Sequence, residues 1–211
     1  MLQLLKNLGV GFLVSFLGSV PLGYLNVVGY DVYAQSGINQ TFLYLLGVLT
    51  VEAIIIYVTL VFADQLMKRK KLLKFIEGFS LIFMFVLAYI FYASGNSAMV
   101  QQKTIDKYAS PFVLGVVLSC FNFIQIPFWT GWNLYLLNGN YIDIRQSRKL
   151  VYVFGTIMGT FAGMLTLILS LHYITSQTGF FSKYLMGVII PLVFAGVGIF
   201  QGFKFYKKYY G

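Results

Sequence analysis

Six stretches of the chain carry no Lys, Arg, Asp or Glu: residues 7–30, 32–51, 78–102, 108–142, 150–182 and 184–203. Each reaches the roughly 20 residues needed to cross about 30 Å of hydrocarbon as a helix. Charged residues collect in short clusters between them. The pattern predicts helices at about 7–34, 38–66, 72–94, 109–138, 148–174 and 182–206. The connections are too short for a soluble domain. The expected fold is therefore an all-α membrane protein, a single transmembrane domain over residues 1–211.

The two halves of the chain repeat each other. Pro21 pairs with Pro127, and Gly9 and Gly115 each lie twelve residues before their proline. In the second helix of each half Gly47-Val-Leu-Thr-Val-Glu52 lies over Gly155-Thr-Ile-Met-Gly-Thr160, and in the third Lys74-Phe-Ile-Glu-Gly78 lies over Lys183-Tyr-Leu-Met-Gly187. The offsets of 106, 108 and 109 drift slowly, as an old duplication with small insertions would. Three helices per half is an odd number, so the second half enters from the opposite face. The expectation is six transmembrane helices arranged as two inverted three-helix repeats, about 1–97 and about 108–211, with the first helix of each interrupted at its proline.

Composition agrees with the pattern. Of 211 residues 59% are hydrophobic and 10% charged, against roughly a quarter charged in an average soluble domain. The net charge of +9 does not imply nucleic acid, because the basic residues form no face on a folded domain; they read as topology signals. If the N-terminus is cytoplasmic, that side carries twelve of the 15 basic residues: Lys6, Lys68, Arg69, Lys70, Lys71, Lys74, Arg145, Arg148, Lys149, Lys204, Lys207 and Lys208. Lys103, Lys107 and Lys183 face the other way. An even number of spans then puts both termini in the cytoplasm of a bacterial cell, with the protein in its inner membrane. The first apolar run lacks a small-residue cleavage signature and is expected to stay as a span. Cys120 is the only cysteine, which excludes an intrachain disulfide and a paired-thiol redox centre.

Candidate chemistry lies at mid-span. Pro21 and Pro127 each remove a backbone hydrogen bond and clash with the carbonyl four residues earlier, so each should kink or break its helix and turn the freed groups near Leu17 and Phe123 toward protein or a wet cavity. Ser15, Ser19, Gly23 and Asn26 gather near the first proline, and Asn122, Gln125, Thr130 and Asn133 near the second. Glu52 sits 14 residues from either end of its helix, about 21 Å of rise from each, near the bilayer midplane. An unpaired carboxylate there costs several kcal/mol, so it should face the interior and be neutral part of the time, or bind a cation. Pro21, Asn26 and the 122–127 segment are the groups it is expected to face. No Lys or Arg shares its depth, so a zwitterion would place its amine on Glu52 and its carboxylate on a broken helix end. Small residues at Gly11, Ser15, Ser19 and Gly23, and at Gly155, Gly159 and Gly163, predict close helix packing. His172 reads as an interfacial anchor, and Trp129 and Trp132, deeper than an aromatic belt, as lining the cavity beside Pro127.

These features resemble the lysine-exporter superfamily, the LysE/RhtB-type amino-acid efflux proteins, over nearly the whole chain. The family's first motif, Pro-Gly-Pro followed by Asn, is matched by Val20-Pro21-Leu22-Gly23-Tyr24-Leu25-Asn26, with one proline kept. Its Asn-Pro pair appears as Asn122-Phe-Ile-Gln-Ile-Pro127, and its Gly-rich second helix as Gly37 and Gly47 followed by Glu52. The resemblance implies efflux of amino acids or similar small molecules, driven by a proton or sodium gradient.

The resulting expectation is a secondary exporter without enzymatic activity or cofactor. Its binding residues would be Glu52, Pro21, Gly23, Asn26, Asn122, Gln125, Pro127, Thr130 and Thr160. Its partners would be a small-molecule substrate, H+ or Na+ as coupling ion and the lipid bilayer, with the chain alone or as a homo-oligomer. Two alternatives stay open: a divalent-metal exporter of the same superfamily, which favours clustered Asp, Glu, His or Cys, and a non-transporting membrane scaffold.

Overall fold

The computed structural model describes residues 2–19, 23–95, 110–177, 188 and 190–210, which are helical almost throughout. In chain order the helices are α1 (Leu2–Ser19), α2 (Tyr24–Lys68), α3 (Lys70–Gly95), α4 (Pro111–Cys120), α5 (Gln125–Asn138), α6 (Arg148–Gln177) and α7 (Ile190–Tyr209). Pro21, the Lys183 to Gly187 repeat match and the start of the expected 182–206 helix lie outside the described residues.

Two of these helices depart from straight rods for identifiable reasons. The 45 residues of α2 would measure about 68 Å if straight, more than twice a bilayer's hydrocarbon. The chain leaves helical geometry at Gly37 (φ 78, ψ −175), a backbone conformation open to glycine and strained for side-chain-bearing residues. Gly37 thus divides α2 into a short arm and a long arm. In the second half, Pro127 in a continuing helix would strike the carbonyl of Phe123. Instead α4 ends at Cys120 and Pro127 falls in the first turn of α5, where its missing N–H is not needed. The two pieces are bent by 72°.

Among the described residues Leu2–Ser19, Tyr24–Ala63 and Arg148–Thr175 are each long and apolar enough to cross a membrane, and α4 with α5 would together make a fourth span. The surface is compatible with insertion: the large apolar side chains of Leu13, Leu17, Ile54, Phe154 and Phe203 are all exposed. The interior, by contrast, holds buried Asn7, Ser15, Thr59, Asn133, Thr156 and Thr160.

Helix pairing follows the small residues. α1 packs on α6, α4 on the long arm of α2, and α3 on α7. Gly155, Gly159 and Gly163 press on the backbones of Leu8, Phe12 and Phe16 in turn, so α1 and α6 run parallel in near contact. A Cβ on Gly11 would strike the Tyr152 carbonyl and the Thr156 amide; one on Gly115 would strike the Tyr44 carbonyl and the Val48 amide. Likewise Gly155 abuts the Leu8 carbonyl and Gly47 the Phe112 carbonyl. The two contacts use the same atoms at corresponding places. Gly9, by contrast, faces open space, so it is Gly11 that does on α1 what Gly115 does on α4.

Two apolar clusters fill the bundle. One gathers Tyr44, Leu45, Met164 and Ile168 with Tyr24, Leu25, Val27 and Tyr30 of the short arm. The other gathers Tyr152, Val153, Ile56 and Leu60 with Trp129 and Leu136 of α5. Glu52 and Thr160 are 108 positions apart, and the same shift carries Tyr44 onto Tyr152, Leu45 onto Val153, Ile56 onto Met164 and Leu60 onto Ile168. The second cluster lies toward an end of the bundle rich in cations. There Lys6 donates to the carbonyl of Asn140 (3.1 Å), Lys149 covers the Tyr57 ring (5.6 Å) and, where α3 follows α2, Lys74 covers Tyr210 of α7 (4.1 Å). This is called the basic end below, and the opposite one the far end.

Candidate functional site: a carboxylate between two polar ties

Glu52 lies on the long arm of α2 and turns into the bundle between the two clusters. Its Oε1 accepts a hydrogen bond from Trp129 Nε1 on α5 (3.3 Å) and another from Thr160 Oγ1 on α6 (3.2 Å). Trp129 and Thr160 are each 2% exposed. Ser15 on α1 and Thr160 lie 2.5 Å apart through their hydroxyls. Because the single Thr160 hydrogen goes to Glu52, Ser15 donates to Thr160. A directed chain, Ser15 to Thr160 to Glu52, therefore crosses three helices, and an indole closes the site from α5. Among the described residues no hydrogen bond reaches Oε2, the oxygen left for a proton or a ligand donor.

A second polar group lies two turns further along the long arm. Tyr152 donates to Asn133 Oδ1 (2.9 Å), Asn133 Nδ2 to Thr59 Oγ1 (3.1 Å), and Thr59 to the Ile55 carbonyl (2.7 Å). Each side chain donates to the next and the chain ends on a main-chain carbonyl, as suits a buried network. At the far end Tyr44 donates to the carbonyl of Leu25 (2.9 Å) and Tyr30 to Thr175 (2.9 Å).

The residues expected to line a site divide accordingly. Thr160 meets Glu52 directly. Gln125 donates to the Ser119 carbonyl across the α4–α5 break (3.0 Å), and Thr130 bonds back to Ile126 in its own helix (2.7 Å). Asn122 shapes the break through its backbone, which receives the Gln125 amide. Asn26 donates to the carbonyl of Ser19 (2.9 Å), and the Gly23 carbonyl accepts the first amides of the short arm. These residues build the breaks, and Glu52 meets Trp129, two positions beyond Pro127, in place of the 122–127 segment. At the start of α5 the amides of Gln125, Ile126 and Phe128 are engaged by Asn122, Phe123 and Ile124, and Pro127 has none. A substrate carboxylate at that end would have to compete with the turn. His172 meets Tyr33 edge-on (4.8 Å between centroids), and Trp132 is partly exposed.

Sequence reasoning did not single out Asn7. Fully buried in α1, it donates to the carbonyls of Asp143 (2.7 Å) and Arg148 (3.1 Å) and accepts from the Asp143 amide (3.2 Å) and Gln3 (3.3 Å). It pins the loop between α5 and α6 over the basic end. An asparagine early in an apolar run was the available signal. Beside it an open cleft of about 440 Å³ is lined by Gln3, Asn140, Asp143, Arg145 and Arg148. Among the described residues no three His, Cys, Asp or Glu side chains gather as a metal site would require. No family model, curated protein or solved structure matches the chain.

Proposed function

We propose that the protein is a secondary transporter that exports amino acids or similar small zwitterions across the bacterial cytoplasmic membrane, coupled to a proton or sodium gradient. The observation that carries this reading is the Glu52 carboxylate, held at mid-bundle by Trp129 and Thr160 with Oε2 unused by the described residues. A carboxylate at that depth is costly to keep unless its charge is used.

The architecture proposed with it is six spans in two inverted repeats. Three observations support it: the matching backbone contacts of Gly11 with Gly115 and of Gly155 with Gly47, the exchange of the two clusters by one sequence shift, and the meeting of Glu52 with its repeat counterpart Thr160. Residues related by a two-fold axis can touch only near that axis. Midplane sites at a repeat interface are common in such transporters. The concentration of cations at one end supports a cytoplasmic basic end with both termini there.

In this mechanism the carboxylate binds the substrate amine or a coupling cation in one state, and is neutral and releases it in the other as the halves rock. Export from vesicles loaded with a radiolabelled amino-acid mixture, under an imposed proton or sodium gradient, tests it. Glu52→Gln keeps the shape and one acceptor for Trp129 but removes the charge. It should abolish gradient-driven export while the protein still inserts and folds. A Glu52→Gln protein that exports at the wild-type rate, or a wild-type protein that moves no label under either gradient, would overturn the reading.

A further inference from the structure

Tyr44 precedes Glu52 by eight residues and Tyr152 precedes Thr160 by eight, about 12 Å of rise in each case. Because Glu52 and Thr160 meet (3.2 Å) while their helices run in opposite senses relative to the basic end, the two tyrosines stand on opposite sides of the carboxylate. Both are 0% exposed. Each hydroxyl is spent on the same kind of partner, a helical piece that a break separates from its neighbour. Tyr44 holds Leu25 in the short arm of α2, which Gly37 separates from the long arm; Tyr152 holds Asn133 in α5, which the turn at 121–124 separates from α4.

We propose that Tyr44 and Tyr152 are the two gate ties of the transport cycle, each clamping the hinged half-helix on its own side of Glu52. The proposal rests on the transporter reading and assigns it positioning residues that open the path to each face in turn. A helical piece bounded by a break can swing, since no regular helix fixes it to the piece across the break. Swinging α5 away from Tyr152 strands a buried hydroxyl and a buried amide unless water enters from the basic end to replace the bond. The same holds for the short arm, Tyr44 and the far end. Opening is therefore coupled to hydration of one side, and both ties are made in the described structure.

The two ties are not identical. Tyr44 bonds a backbone carbonyl, which no substitution at Leu25 removes. Tyr152 bonds a side chain that in turn holds Thr59. The gate at the basic end can therefore be loosened from either partner.

The test uses full-length protein in lipid nanodiscs, where both faces meet the reagent, with Cys120→Ser as background. Leu60→Cys reports the cluster around Tyr152 and Ile168→Cys the cluster around Tyr44; both positions are buried in the parent. Tyr152→Phe should speed maleimide labelling at position 60 about five-fold, the size expected for losing one buried hydrogen bond, and leave position 168 unchanged or slower. Tyr44→Phe should do the reverse. Asn133→Leu, which removes the acceptor and leaves Tyr152 in place, should act as Tyr152→Phe does and serves if that variant does not accumulate. Both reporters rising together, or neither moving, would overturn the proposal. Labelling needs no substrate, so the outcomes separate. Reciprocal labelling without export sinks the transport reading alone, and export without reciprocal labelling sinks the gates alone.

Discussion

The clusters on either side of Glu52 use corresponding positions but close by different means. Around Tyr44 an apolar cluster surrounds the bond from the tyrosine to the main chain at Leu25, Tyr30 bonds to Thr175, and Gly37 joins the two arms of α2. Around Tyr152 the apolar shell encloses Asn133 and Thr59, and above it the segment after Asn138 is pinned by Asn7. The contrast shows how one packing frame can hold two kinds of closure. At the far end the seal is apolar burial with a tyrosine bond that ends on a main-chain carbonyl, so only the tyrosine side of that bond can be removed. At the basic end it is a set of directed hydrogen bonds, each of which can be removed by one substitution. The basic end should accordingly be the side where a tie can be removed from either partner and where pH acts.

The largest expected effect tests the frame common to both halves. Gly47 and Gly155 each abut a carbonyl of the facing helix, where a side chain has no room and the obstacle is backbone. Gly47→Val and Gly155→Val should each cost about 3 kcal/mol or more, read as a lowered midpoint in thermal unfolding of the detergent-solubilised protein. Gly9→Ala meets nothing and should be neutral or gain up to about 1 kcal/mol in helix propensity. A large loss from Gly155→Val with none from Gly47→Val would break the equivalence of the halves.

Much of this frame is legible in the sequence, because lipid imposes it locally. Charge-free runs mark helices, the stripes Gly11 to Ser19 and Gly155 to Gly163 mark close contact, and Pro127 marks a break that the structure places at 121–124. Gly37 separates the expected helices at 34 and 38, where the chain does leave helical geometry. The partners of polar groups are not legible in the same way. Glu52 was directed toward the proline segments, yet it meets Trp129 and Thr160, because the register of α5 and α6 against α2 decides which residues share a level. That register is set by packing between helices distant in sequence, with the glycines seating α1 on α6 and α4 on the long arm of α2. The Tyr152–Asn133–Thr59 chain and the Asn7 latch are of the same kind: single polar residues in apolar runs, whose partners only packing identifies.

The next prediction removes what distinguishes the basic end. Asn7 satisfies two carbonyls and one amide of the 143–148 segment with one buried side chain. Asn7→Ala leaves those groups unmatched, so it should cost about 1 to 3 kcal/mol. The loss should appear as faster tryptic cleavage after Arg145 in the full-length protein, with labelling at Ile168→Cys unchanged. Unaltered cleavage would mean that the loop is held by its own turns and not by α1.

The smallest effect concerns Asp143 and carries a sign. Its Oδ1 accepts from the Arg145 amide (2.9 Å) and lies 3.3 Å from the Arg145 guanidinium, while its Oδ2 pairs with Arg148. The Arg145 amide has the largest influence and burial, the next, opposes it; the Arg148 and Arg145 guanidinium groups add to the amide, and together they hold the carboxyl below the usual aspartate range. A carboxyl depressed in the folded state binds its proton more weakly there than in the unfolded chain. Its contribution to stability is therefore complete above the ordinary aspartate value and is lost as pH falls through the lower folded value. Arg145 is well exposed, so water and salt screen the pair and the contribution stays small. Asp143→Asn should lower the thermal midpoint slightly at neutral pH, and the gap from wild type should close as the solution is acidified below the aspartate range. Added salt should narrow the same gap at neutral pH, because the charge pair is screened while the hydrogen bond from the Arg145 amide is much less so. A gap that widens on acidification would reverse the sign and place the stabilising form of Asp143 in its protonated state.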